Sequence, residues 1–226
     1  MHAIRSLGLA LLAAALRASA GPLTKRSAAY YNPADKGGSM LTQVINSTLG
    51  EPLNVIISGL SSPDVLTLDG AINYARAIGF STECLGLHLG NPQAADLGDG
   101  NGYVNQTILL REDYGDASVG TCLESAIGGN HFRIYVQNGT EAGSGALFLA
   151  TSKEYMSTTG HHIVADGYDI GRDELVSWAV GTTSYEDVTY STTAENITGL
   201  LPVGTAGVNH NISIDGIVAL LTVTIQ

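Results

Sequence analysis

Residues 131–151 read HFRIYVQNGTEAGSGALFLAT, and the two apolar ends of this stretch decide the fold. His131–Val136 (HFRIYV) and Ala146–Thr151 (ALFLAT) are β-rich runs of strand length. Between them Asn138-Gly139 and further Gly and Ser supply turn chemistry. The spacing predicts a long antiparallel hairpin rather than a tight one. Side chains alternate along a strand, so His131 and Arg133 share one face while Phe132 points to the other.

The pattern extends in both directions. Upstream, Leu53–Ser58 (LNVIIS) predicts a buried strand. Ser62-Pro63-Asp64 then predicts a helix start with Ser62 as cap, and Leu66, Ala71, Tyr74 and Ile78 carry an apolar stripe to Gly79. Cys84–Leu89 and Tyr103–Arg111 predict two more strands, separated by the turn-rich residues 91–102. Downstream, His161–Ala165 is a short extended piece. Asp169 is expected to cap a helix running to Val180, with Leu175, Trp178 and Ala179 on its buried face. The Thr-, Ser- and Tyr-rich residues 182–198 predict exposed strands, and Ile214–Ile225 predicts an apolar closing strand. The fold expected is α+β: a mixed β-sheet sandwich with two main helices in a single domain.

The N-terminus gives the compartment. Arg5, the apolar run Leu7–Leu16 and Ala18-Ser19-Ala20 predict a signal peptide over residues 1–20, too short to span a bilayer. Lys25-Arg26 ends a short propeptide, 21–26, and resembles a kexin-type processing site of a fungal secretory pathway. The mature secreted domain is then 27–226. It carries six basic residues against twenty-one acidic ones, a formal charge of -15. Such a charge repels nucleic acid and anionic membrane surfaces, which excludes both as partners. Five sequons, at Asn46, Asn105, Asn138, Asn196 and Asn211, predict N-glycosylation. The two cysteines, Cys84 and Cys122, predict one disulfide in an oxidising compartment.

No G-x-S-x-G elbow, H-E-x-x-H, P-loop or C-x-x-C occurs. Chemistry must therefore come from two polar clusters, Gly129–Arg133 and His161–Asp173. In one reading His131, Arg133, His162, Asp166 and Arg172 form a catalytic or anion-binding pocket. Arg offers a bidentate fork and His a proton acceptor or donor. In another, His131, His161, His162 and Asp169 ligate a divalent metal, since imidazole and carboxylate suit zinc and similar ions. In a third, the acids cap the helix, Arg172 pairs with Asp173 or Asp166, and the histidines are satisfied in the core. His88 reads as a packing residue, and His210, beside the Asn211 sequon, as a surface one.

Three segments together resemble the LssY C-terminal-like domain family: Leu85–Leu97 (LGLHLGNPQAADL), Gly129–Tyr135 (GNHFRIY) and His161–Leu175 (HHIVADGYDIGRDEL). The resemblance covers residues 50–181. It implies His131, Arg133, His162, Asp166, Asp169, Arg172 and Asp173 as the family's polar positions. It also implies a phosphate-related role, because such domains stand beside membrane segments that resemble lipid phosphatases. A hydrolase or anion-binding protein acting on phosphate-containing substrates is the first expectation. The competing one is a non-catalytic extracellular or cell-wall-associated binding or structural protein.

Overall fold

The computed structural model describes residues 28–45, 47–88, 90–160 and 162–226. The signal peptide, the propeptide, the start at Ser27, the sequon Asn46 and His161 lie outside the described residues.

In chain order the strands are β1 (Val55–Ile57), β2 (Phe80–Thr82), β3 (Ala94–Asp96), β4 (Tyr103–Asn105) and β5 (Ile108–Glu112). They continue as β6 (Gly128–Val136), β7 (Leu147–Tyr155), β8 (Gly181–Tyr185), β9 (Val188–Ile197) and β10 (Val218–Ile225). The helices are α1 (Leu68–Ala77), α2 (Gly120–Ile127) and α3 (Gly167–Ala179). The predicted hairpin is β6–β7, in register from Gly128↔Tyr155 to Val136↔Leu147. Asp99 pins its long loop by accepting from the backbone N–H groups of Asn138 (3.0 Å) and Gly139 (2.8 Å).

Eight strands enter one sheet in the order β2-β5-β6-β7-β1-β10-β9-β8, and β3 pairs with β4 apart from it. All neighbours are antiparallel except β1 and β10, whose parallel pairing lies in the interior of the sheet. The strands expected in a two-sheet sandwich thus belong mainly to a single curled sheet. Helix α1 packs against both edge strands, β2 and β8. Tyr74 of α1 anchors this arrangement: its ring meets Tyr190 edge-on at 5.1 Å, and its hydroxyl lies 2.9 Å from Thr192 Oγ1.

Each sheet face has its own apolar core. Val55, Ile57, Leu110, Phe132, Ile134, Leu147 and Leu149 face α1 and the C-terminal half of α3. Ile56, Tyr135, Phe148, Ala150 and Leu220 face the opposite way. There Met40, Ala95, Leu97, Leu201, Val208 and Ile214, from loops and from β3, cover them. Helix α3 lies close on β7 because residue 171 is glycine; a Cβ there would come within 2.8 Å of the Ser152 backbone.

Several local expectations change. Ser62 stands at the N-cap of a short 3-10 helix, Pro63–Leu66, with Pro63 at its first position, but makes no side-chain cap bond: its hydroxyl accepts from Ile225 N (2.9 Å), and Thr67 caps α1 through Gly70 N (3.1 Å). Asp169 sits in the first turn of α3 rather than at its cap, which is Asp166 at φ 56 with no side-chain cap bond. Tyr103–Arg111 divides into β4 and β5 because each half pairs with a different sheet. In place of the strand expected over Cys84–Leu89, Cys84–Gly86 forms a 3-10 turn, with Leu85 at φ 54. The third helix, α2, escapes periodicity analysis because one of its buried positions is occupied by Glu124. Cys84 and Cys122 are bonded, tying the 3-10 turn to α2.

Candidate functional site

Pairing sets a row of polar side chains across three strands: Arg111 on β5 lies opposite His131 on β6, which lies opposite Ser152 on β7. Alternation puts Arg133 on the same face of β6. Four carboxylates converge on this row. Arg111 donates from Nη1 to both oxygens of Glu124 (3.1 and 3.0 Å) and to Glu154 (3.2 Å), and its Nε lies 3.6 Å from Glu83. Arg133 donates to Glu51 at 2.7 Å and to His131 Nε2 at 3.0 Å. Glu51 also accepts from Gln93 at 2.8 Å, and Gln93 accepts from Thr42 at 2.7 Å.

The electrostatics follow from burial and the excess of carboxylates. Glu124 is fully buried, and that burial pushes its carboxyl up to about 7 although Arg111 pulls the other way. Burial also opposes charge on Arg111, but Glu124 and Glu154 beside it outweigh this and hold the guanidinium above its ordinary value. A buried ion cluster of this kind holds together only if each charge keeps its partner.

Two chemistries suggest themselves. Glu124, His131 and Glu154 each offer a ligand atom within 4.8 Å of the others, a donor set that suits zinc. Arg111 Nη1, however, bonds both carboxylates and already supplies the cation between them. The second is a hydrolytic row. Ser152 Oγ lies 3.3 Å from His131 Nε2, and His131 Nδ1 lies 3.7 Å from Glu154. That order matches nucleophile, base and orienting acid. Yet Ser152 and His131 are both 0 % exposed, and Arg133 donates to the same Nε2 that would have to accept the serine proton.

The residues expected to share one pocket separate. His131 and Arg133 meet in the buried network. Arg172 instead clamps the chain ahead of β10, donating to both oxygens of Asp215 (2.6 and 2.9 Å), to Asp173 (2.8 Å) and to the Ile217 carbonyl (3.0 Å). Asp169 joins that clamp by accepting from Asp215 N at 3.0 Å. Asp166 and His162 are exposed, and His162 faces His210 with ring centres 6.2 Å apart. Among the described residues of the expected metal set, His131, His162 and Asp169, His131 alone belongs to the Glu124–His131–Glu154 group. Arg111, Glu124, Glu154, Glu51 and Ser152 were not anticipated. Arg111 ends an apolar strand run, the one local sign of a charge turned inward.

The described sequons, Asn105, Asn138, Asn196 and Asn211, are all exposed. Asn105 also lines an open cleft of about 520 Å³ together with Gln43, Val44, Ser47, Thr48 and Pro92, all uncharged. No helix among the described residues is long and apolar enough to cross a membrane. No protein-family model matches the chain, and neither curated proteins nor solved structures give a match.

Proposed function

We propose that the chain is a secreted, N-glycosylated, non-catalytic extracellular or wall-associated protein whose conspicuous polar residues form an ionic core. One observation carries this reading: His131 is fully buried, and the Arg133 guanidinium bound to its Nε2 is itself neutralised by Glu51. An imidazole so placed is a structural acceptor, not a base open to substrate. The disulfide, the exposed sequons and the signal-like N-terminus support secretion. The uncharged cleft lining offers no fork for an anion.

A second reading, a hydrolase or anion-binding protein for phosphate-containing substrates as the LssY resemblance implies, shares only His131 with the Ser152–His131–Glu154 row, and that row is the arrangement that favours hydrolysis. Phosphate release from mono- and diester substrates by the full secreted chain separates the two. The ionic-core reading expects no turnover and no rise in thermal midpoint with phosphate. It also expects His131→Ala to unfold several degrees lower. Turnover that disappears in Ser152→Ala, with its midpoint unchanged, would establish the hydrolase instead.

A further inference from the structure

We infer that the open cleft beside β4 is the seat of the chain's own glycan, a step that rests on the N-glycosylation proposed above: the core N-acetylglucosamine pair attached to Asn105 folds back into the cleft. Asn105, in the sequon Asn105-Gln106-Thr107, ends β4 opposite Ala94 of β3, and Ala94 in turn bridges to Gln43. Directly paired residues share a sheet face, so Asn105, Ala94 and Gln43 form a row across three adjacent segments. All three line the cleft of about 520 Å³. That volume lies within the range of about 300–1,000 Å³ usual for sites that hold a small ligand.

The lining has the chemistry that a neutral sugar needs. The middle of the row is a methyl group, which leaves a low floor between two longer amides. Gln43, Thr48 and Asn105 are exposed, and none of them spends its side chain on a hydrogen bond to another described residue. Gln93, next to Ala94, is by contrast consumed in the core by Glu51 and Thr42. Free amides and hydroxyls bond the hydroxyl and acetamido groups of a sugar without the cost of desolvating a charge. Tyr103 stands two residues before Asn105 on the same face of β4 and is 56 % exposed. It borders a second hollow of about 150 Å³ that shares Gln43, Ser47 and Thr48 with the first. Its ring offers an apolar face to the C–H side of a pyranose and a hydroxyl to the sugar's edge.

The tether selects the occupant. Contacts of this kind are weak on their own, but a glycan bonded to Asn105 Nδ2 begins at the cleft and stays there at an effective concentration on the order of 1 mM. A contact with a dissociation constant of about 0.1 mM then keeps it seated about nine-tenths of the time. A free oligosaccharide has no such advantage, and the attached one stands in its way. Asn138, Asn196 and Asn211 do not line the cleft or the hollow beside it, so their glycans have no comparable seat there.

The test uses the full secreted chain with its glycans and a glycosidase that cuts between the two core N-acetylglucosamines, read by mass spectrometry of glycopeptides. In the native protein the glycan on Asn105 should be trimmed about tenfold more slowly than those on Asn138, Asn196 or Asn211, as that seated fraction requires. After denaturation all should be trimmed alike. Tyr103→Ala, at an exposed position, should bring Asn105 to the rate of the other sites with its occupancy unchanged. Asn46→Gln, which removes the sequon between Ile45 and Ser47, should leave the protection in place. A chain with no glycan at any sequon would overturn the glycosylation reading and the seat together. An Asn105 left bare while other sequons are occupied, or occupied and trimmed as fast as they are, would overturn the seat alone. So would protection that survives Tyr103→Ala or disappears with Asn46→Gln.

Discussion

Arg133 owes its role to its partner. Read from sequence it is a fork for an external anion, but its side chain is only 14 % exposed and its fork is taken by Glu51, itself 6 % exposed. Removing the guanidinium leaves Glu51 buried with one neutral partner, Gln93, and takes a donor from His131. Breaking a buried pair from one side costs about 3–5 kcal/mol, far more than the pair is worth against apolar replacements. Arg133→Ala should therefore lower stability by that order in urea denaturation, and adding Glu51→Gln should restore part of it. A loss below about 1 kcal/mol, the range of exposed ion pairs, would show that Arg133 is solvated and free for a ligand.

The elements differ in how plainly the sequence declares them. The β6–β7 hairpin, β1, β10 and α3 were legible because their apolar residues run continuously or alternate, and burial follows that pattern. Helix α2 was not, since Glu124 occupies a position where periodicity looks for an apolar residue. The same residue hid the polar network: Arg111, Glu124 and Glu154 lie on three elements, brought together by the strand register and by the packing of α2 against β5 and β6. His131 and Arg133 were legible as neighbours because i and i+2 share a strand face, whereas Arg172 could not be placed without knowing that Asp215 folds back onto it. The Cys84–Cys122 bond fixes α2 over that network. For a sequence separation of 38 the chain-entropy model assigns such a bond about 4 kcal/mol. Cys84→Ser with Cys122→Ser should lower the thermal midpoint accordingly and expose the segment from Asp113 to Ile127 to proteolysis first. Uniform loss of protection, with α2 no more sensitive than β10, would show that the bond stabilises the chain only globally.

At the scale of the whole molecule, an acidic chain has folded several carboxylates into places that disfavour their charge. Burial raises Glu112, Asp113, Asp169 and, most of all, Glu124, which moves from 4.5 to about 7. Between those two values the folded chain holds a proton on Glu124 that the unfolded chain has released. Its contribution is therefore complete below about 4.5 and is lost as pH rises through about 7. The loss from this one group is on the order of 3 kcal/mol, and growing self-repulsion in a chain with twice as many acids as bases adds to it. At the acid end Asp215 works the other way. Burial resists its charge, but the hydrogen bonds from Arg172 outweigh that and lower it, so its share disappears as pH falls through the bottom of the carboxylate range. The molecule should accordingly be most stable in mildly acidic medium, with its denaturation midpoint falling steadily from pH 5 to pH 8. Glu124→Gln, which copies the protonated form, should flatten most of that fall while leaving stability at pH 5 nearly unchanged. Chemical denaturation of both proteins at matched ionic strength across this range provides the measurement. A wild-type profile that rises towards pH 8, or a variant with the same slope as the wild type, would mean that Arg111 keeps Glu124 ionised and that the cluster is an ordinary ion pair at all these pH values.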